Sequence, residues 1–192
     1  MELATLDESR WYAVSTRSRH EKVAASMLES LGIQHYLPLT TEVRRWSDRK
    51  QVIASPLFSC YLFVHISNSA ASRLSVLKVP GIVSLMGNMN GPVPIPEREI
   101  ESVRAVLSQG IECFPYPYLK AGDRVRIVQG ALAGIEGAFV RSGPNATLVI
   151  SIEMIQQSVA IKIDGCDVVP VPHGSTLHST SMKSSSFTAH VA

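Results

Sequence analysis

The stretch Ala121–Val140, AGDRVRIVQGALAGIEGAFV, constrains the fold more than any other part of the chain. Glycines stand at 122, 130, 134 and 137, with alternating apolar residues between them. Val125 and Ile127 share one face of a strand, and Arg124 and Arg126 share the other. Glycines at such intervals mark tight turns, where a side chain would clash or φ must turn positive. This is the opening half of a small β-barrel. Strands are predicted near 123–128, 135–141, 147–152, 157–163 and 167–171, with turns at Gly130, Gly143–Asn145 and Asp164–Gly165. Five short strands in about fifty residues predict an SH3-like barrel.

The residues before it are of another kind. Trp11–Ser15 reads as a strand. Arg17–Leu31 has helical period, with Val23, Met27 and Leu28 (and Ala24 and Leu31) as its apolar stripe and Gly32 as its stop. Ile33–Leu37 is a second strand, and 39–55 is a charged excursion, a hairpin or an extended loop. Leu57–Ile66 is apolar on both faces and belongs at the centre of a covered sheet. A short helix at Ser69–Leu77, a strand at Ile82–Leu85 and a helix entered through Pro96 and closed by Gly110 complete the segment. The order β-α-β-β-α-β-α fits a ferredoxin-like α/β sandwich, so the class is α+β. The expected divisions are a loose leader at 1–10, the α/β domain at 11–112, an extended linker at 113–120, the barrel at 121–171 and a disordered tail at 172–192. The linker should leave the barrel free.

Charge and cysteine content exclude several function classes. The net charge is +2, far from the strongly basic character of a ribosomal RNA coat. Local basic groups occur at Arg17, Arg19, His20 and Lys22, and at Arg44, Arg45, Arg49 and Lys50. The three cysteines, 60, 113 and 166, have neither disulfide nor zinc spacing, so a reducing cytoplasm is expected and no metal or cofactor. The first ten residues lack a secretory pattern, and Val52–Ile66 is too short and too polar to span a membrane. No nucleophile–base pair stands out: Cys60 and His65 have opposite strand parity, and no phosphate-cradling G-x-x-x-x-G-K-[ST] occurs. The chain is not expected to be an enzyme.

Several blocks resemble a known family. Residues 121–140 resemble a KOW motif through Gly122–Asp123, the Gly130–Leu132 turn, Gly134 and Gly137. Trp11–Tyr12, Pro56–Leu57–Phe58 leading to Tyr61–Leu62–Phe63–Val64, Pro80–Gly81–Ile82–Val83 and Pro92–Pro96 resemble the amino-terminal domain of NusG-type transcription factors. These blocks, in the right order over 11–171, make the resemblance specific. PLFSCYLFV is closer to the dedicated RfaH and UpxY paralogues, because general NusG proteins usually carry glycine where Cys60 stands.

The resemblance implies a NusG amino-terminal domain followed by a KOW barrel. It also implies a non-catalytic elongation and antitermination factor, monomeric and cytoplasmic, that binds the large subunits of RNA polymerase across the clamp. The clamp contact then falls on Phe58, Tyr61 and Phe63, and the opposite gate-loop contact on Ser72, Arg73 and Leu74. Phe58 differs in parity from Tyr61 and Phe63, so it joins them only if the chain turns near Pro56–Ser59. Arg17, Arg19, His20 and Lys22 face non-template DNA in this reading. Leu132, Ile135 and Phe139 would hold a ribosomal protein or a termination factor. The rival reading is a KOW protein that binds ribosomal RNA in translation.

Overall fold

The computed structural model describes residues 8–46, 49–116, 118, 123–142, 145–163 and 168–171. The expected leader and the expected tail after 171 lie almost wholly outside them.

The chain begins with β1 (Arg10–Thr16), α1 (Glu21–Ser30) and β2 (His35–Tyr36). A hairpin follows, β3 (Leu39–Trp46) and β4 (Arg49–Pro56), paired in unbroken antiparallel register as a separate two-stranded sheet. Then come β5 (Tyr61–Ile66), α2 (Ala70–Leu77), β6 (Ile82–Leu85), the short pair β7 (Gly87–Asn88) and β8 (Gly91–Pro92), and α3 (Glu97–Ser108). β2, β5, β1 and β6 form a four-stranded sheet in that order, all antiparallel. The predicted order is observed, with two hairpins inserted into it.

Each face of this sheet has its own cover. Tyr12, Val14, Leu62, Val64 and Ile66 point to one side by parity and pack with Ala24 and Leu28 of α1 and Val76 of α2. Trp11, Ala13 and Phe63 point to the other side and pack with Ile100, Val103 and Val106 of α3. The spacing of those three residues is one helical stripe.

The expected stripe of α1 is corrected. Its buried residues are Glu21, Ala24, Ala25 and Leu28, whereas Val23 and Leu31 are 52% and 60% exposed and Met27 is also exposed. Small alanines let the helix backbone lie close to the sheet, and the bulkier residues at 23, 27 and 31 turn outward together.

The second unit contains β9 (Phe114–Tyr116), β10 (Asp123–Ile127), β11 (Glu136–Ser142), β12 (Asn145–Ile152), a 3-10 turn (Glu153–Ile155), β13 (Gln157–Lys162) and β14 (Val168–Pro170). They form one antiparallel sheet in the order β14-β10-β11-β12-β13-β9. All five predicted barrel strands are present. The sixth is unexpected: Phe114–Tyr116, read as linker, pairs with Ser158–Ala160. Pro115 has no N–H to give a ladder, and β9 is an edge strand, where proline is tolerated. Gly137 is there for space, since a Cβ would stand 2.6 Å from the Val149 carbonyl oxygen on the neighbouring strand.

The two units are in contact. The buried cluster that contains Trp11, Phe58 and Phe63 continues through α3 into Val125, Leu148, Ile150 and Ile161 of the barrel. The Glu153 N–H at the 3-10 turn donates to the Glu99 carboxylate of α3 at 3.2 Å.

Candidate functional site

The turn between β4 and β5 organises the aromatic face. Leu57–Cys60 leaves the extended conformation, so the strand predicted over Leu57–Ile66 is shortened to Tyr61–Ile66. The Leu57 N–H donates to the Pro38 carbonyl at 2.8 Å, and the Tyr61 N–H donates to the Phe58 carbonyl at 3.2 Å. Cys60 has φ +66°, a left-handed conformation that costs a residue with a Cβ and costs glycine nothing. The turn removes the parity conflict: the Phe58 ring meets Phe63 edge-on, with centroids 6.0 Å apart and planes at 85°.

Phe63 also stacks on Tyr36 at 6.4 Å. The guanidinium of Arg104, on α3, lies 4.8 Å from the Tyr36 ring centre and 5.5 Å from that of Trp11. His65 tilts against Trp11, with ring centroids 5.0 Å apart. Burial pushes the Tyr36 hydroxyl up to about 12, with the Arg104 charge opposing the shift. Burial likewise pushes the nearby Cys113 thiol up to about 11, so it stays a thiol at neutral pH. Phe58 and Phe63 are 1% and 0% exposed, and Tyr61 is half-buried. In this arrangement Tyr61 is the candidate residue at the surface, and the two phenylalanines are core.

The basic turn lies beside the Leu57–Cys60 turn, with the Thr16 N–H donating to the Cys60 carbonyl at 2.8 Å. Arg17, Arg19, His20 and Lys22 are all exposed. The Arg17 N–H donates to the Gly81 carbonyl at 2.8 Å, and His20 packs over Gly81 so closely that a Cβ there would stand 2.9 Å from the His20 Cβ. Gly81 has φ +93°, so the Pro80–Gly81 block serves as the seat for the basic turn. Lys22 Nζ donates to the Ala54 carbonyl on β4 at 2.6 Å, which ties the hairpin to α1.

Ser72, Arg73 and Leu74 occupy the first turns of α2. Ser69 caps the helix, accepting the Ser72 N–H at 3.2 Å, and the hydroxyls of Ser67, Ser69 and Ser72 bond one another at 2.9–3.2 Å. Ser72 is therefore occupied internally, while Leu74 is exposed. At the barrel turn, Leu132 and Ile135 are buried in the core, and Phe139 is only partly covered. The accessible member of that trio is Phe139.

Among the described residues no group of three or more His, Cys, Asp or Glu could hold a metal ion, and no helix is long and apolar enough to cross a membrane. Cys60 and Cys113 are free thiols.

A family model described as "Transcription termination factor nusG" matches residues 9–104, half of the chain. The chain belongs to the NusG family. A relative named transcription termination/antitermination protein NusG, from Lactococcus lactis, is 22% identical over 174 residues, which covers 84% of this chain and 92% of that protein. The Streptococcus pyogenes serotype M3 protein of the same name is 28% identical over 142 residues, covering 68% and 79%. A solved structure titled "Domain interaction in Thermotoga maritima NusG" is similar at 20% identity and a TM-score of 0.48, over 80% of this chain and 93% of that one.

Three structural features of this NusG-family chain escape sequence reasoning. Arg104 gives no signal, since its partners Trp11 and Tyr36 are distant in sequence. Glu99 reads as first-turn helix charge, yet burial raises its pKa, with the Glu153 N–H pulling the other way. Glu21 also reads as a helix-start charge, but its carboxylate is inside the protein.

Proposed function

We propose that this NusG-family protein is a non-catalytic elongation and antitermination factor. It binds the large subunits of RNA polymerase across the clamp, suppresses pausing and serves a dedicated long operon. Family membership carries the reading, and the aromatic face around Phe58, Tyr61 and Phe63 supplies its chemistry. A ligand that binds the closed clamp better than the open one shifts the polymerase toward the closed, processive state by its differential affinity. Tyr61 is the outer anchor, because its ring buries well while its hydroxyl stays wet. Phe58 and Phe63 join the contact when the neighbouring cover is displaced. Ser72, Arg73 and Leu74 make the second contact, with Leu74 outermost.

Arg17, Arg19, His20 and Lys22 face the exposed non-template strand, where arginine pairs with phosphates or stacks on bases. The barrel offers Phe139, beside Leu132 and Ile135, to a ribosomal protein or a termination factor. The net charge of +2 disfavours the ribosomal RNA reading.

The deciding experiment is pull-down of RNA polymerase from nuclease-treated lysate, followed by single-round elongation on the native leader template. Retained polymerase and shortened pauses are expected; unchanged pausing overturns the proposal. Arg17→Ala should weaken recruitment to a paused bubble while leaving polymerase capture intact. Deletion with RNA sequencing separates a dedicated factor, which affects one or a few long operons, from a general one.

A further inference from the structure

We infer that Glu21 is a positioning residue that holds the turn before Tyr61 in its docking conformation. The inference rests on the reading of that turn as the polymerase-binding face. Glu21 is only 5% exposed, an unusual place for a carboxylate. It lies in the first turn of α1, directly after the basic stretch Arg17–His20. Its Oε1 accepts the Cys60 N–H at 2.8 Å, across 39 residues of sequence.

The bond it makes is one the turn needs. Cys60 carries a Cβ in the left-handed region, a conformation that persists only where its surroundings enforce it. Two groups enforce it from outside the turn. Glu21 holds the Cys60 N–H, and the Thr16 N–H holds the Cys60 carbonyl at 2.8 Å. A third bond closes the turn on itself, from the Tyr61 N–H to the Phe58 carbonyl. Tyr61 then enters β5 opposite Ser15, and Phe58 reaches the edge of Phe63.

Without the carboxylate, the Cys60 N–H is left unpaired and the strained residue is free to relax. Tyr61 would lose its fixed exit angle, and Phe58 its place on Phe63. Because Glu21 stands on the helix start that carries the basic turn, one side chain sets the spacing between the two proposed contact surfaces. An ordinary helix-start carboxylate would be exposed and bound to its own helix; this one is buried and bound to another segment.

The test uses the full-length protein, purified RNA polymerase core and four variants. Affinity is read by fluorescence anisotropy, the fold by circular dichroism, and the Cys60 amide by hydrogen exchange. E21A should weaken polymerase binding about tenfold, the size of one hydrogen bond to a charged group, with faster Cys60 exchange. E21Q keeps an acceptor in place and should bind within about twofold of the parent. Adding C60G to E21A should restore most of the affinity, because glycine adopts the turn without help. If E21A fails to fold, E21D decides: it keeps the charge but withdraws the acceptor by one methylene, so weaker binding at a native melting temperature is expected. Wild-type affinity in E21A or E21D, or a loss that neither Gln nor C60G repairs, overturns the inference. If the parent protein does not bind polymerase, the proposed function fails instead, and Cys60 exchange in the same variants still tests the positioning.

Discussion

The two faces of the four-stranded sheet are built by different rules. One face is mostly aliphatic, with Val14, Leu62 and Val64 closed by α1 and α2, which arise within the same stretch of chain. The other is aromatic, with Trp11 and Phe63 joined by Phe58 and Tyr36. Its cover is α3 and, beyond α3, a barrel formed later in the sequence. The first face is closed by its neighbours in the chain. The second is aromatic, has the partly buried Tyr36 and Tyr61 packed against it, and shares its buried cluster with a separate unit.

The sharpest way to break this comparison is to damage both faces equally. Leu62→Ala, at a fully buried site on the aliphatic face, should cost about 2–5 kcal/mol in chemical denaturation and lower the melting temperature of the whole α/β unit. Phe63→Ala should cost a comparable amount of stability and, unlike Leu62→Ala, should also reduce polymerase binding at temperatures where both variants remain folded. Equal losses of binding in the two would erase the distinction.

A smaller effect is expected in the cover. Gly137→Ala would push a methyl against the Val149 carbonyl, and the strain should cost about 1–3 kcal/mol, read as earlier melting of the barrel with the sheet unaffected. Arg104→Ala should cost about 0.5–1 kcal/mol through loss of the guanidinium over Tyr36 and Trp11, and because the Arg104 charge holds the Tyr36 pKa down, the Tyr36 titration, followed by ultraviolet difference absorbance, should move further up.

The smallest effect is electrostatic. Burial raises the pKa of Glu99 above its value in an unfolded or undocked chain, opposed by the Glu153 N–H and by Arg98 and Arg124, and reinforced by the Glu153 charge. A carboxyl with a raised pKa binds its proton more tightly when the contact is made. Its contribution is therefore fully present below the undocked pKa and is lost as pH rises through the raised one. Amide exchange around Glu153 should slow as pH falls through the mildly acid range, after correction for intrinsic exchange. Glu99→Gln should remove that dependence.

Much of this was legible in the residues because local signals and tertiary demands agree. Ile82–Leu85 is a strand, Pro96 opens α3, Gly110 follows its end, and the barrel strands fall where glycines and alternation place them. The turn at Leu57–Cys60 was not legible: the apolar run predicts one strand over 57–66, and a turn enters only as a condition for Phe58 to join Tyr61 and Phe63. The misses share a different cause. The facing of α1 depends on how closely two alanines approach the sheet, which periodicity does not encode. β9 is a strand only because β13 offers it a ladder. Glu21 and Arg104 act across 39 and more than 60 residues of chain, through contacts with no local pattern.

The unforeseen strand β9 leaves little slack between the two units. Only Gln109–Cys113 separate the end of α3 from the first barrel strand, five residues whose fully stretched span is about 17 Å. A barrel lifted from α3 as an intact body stays on that short leash, at a high local concentration beside the surface it has left. Anything that draws it further away must first strip β9 from its edge to lengthen the tether.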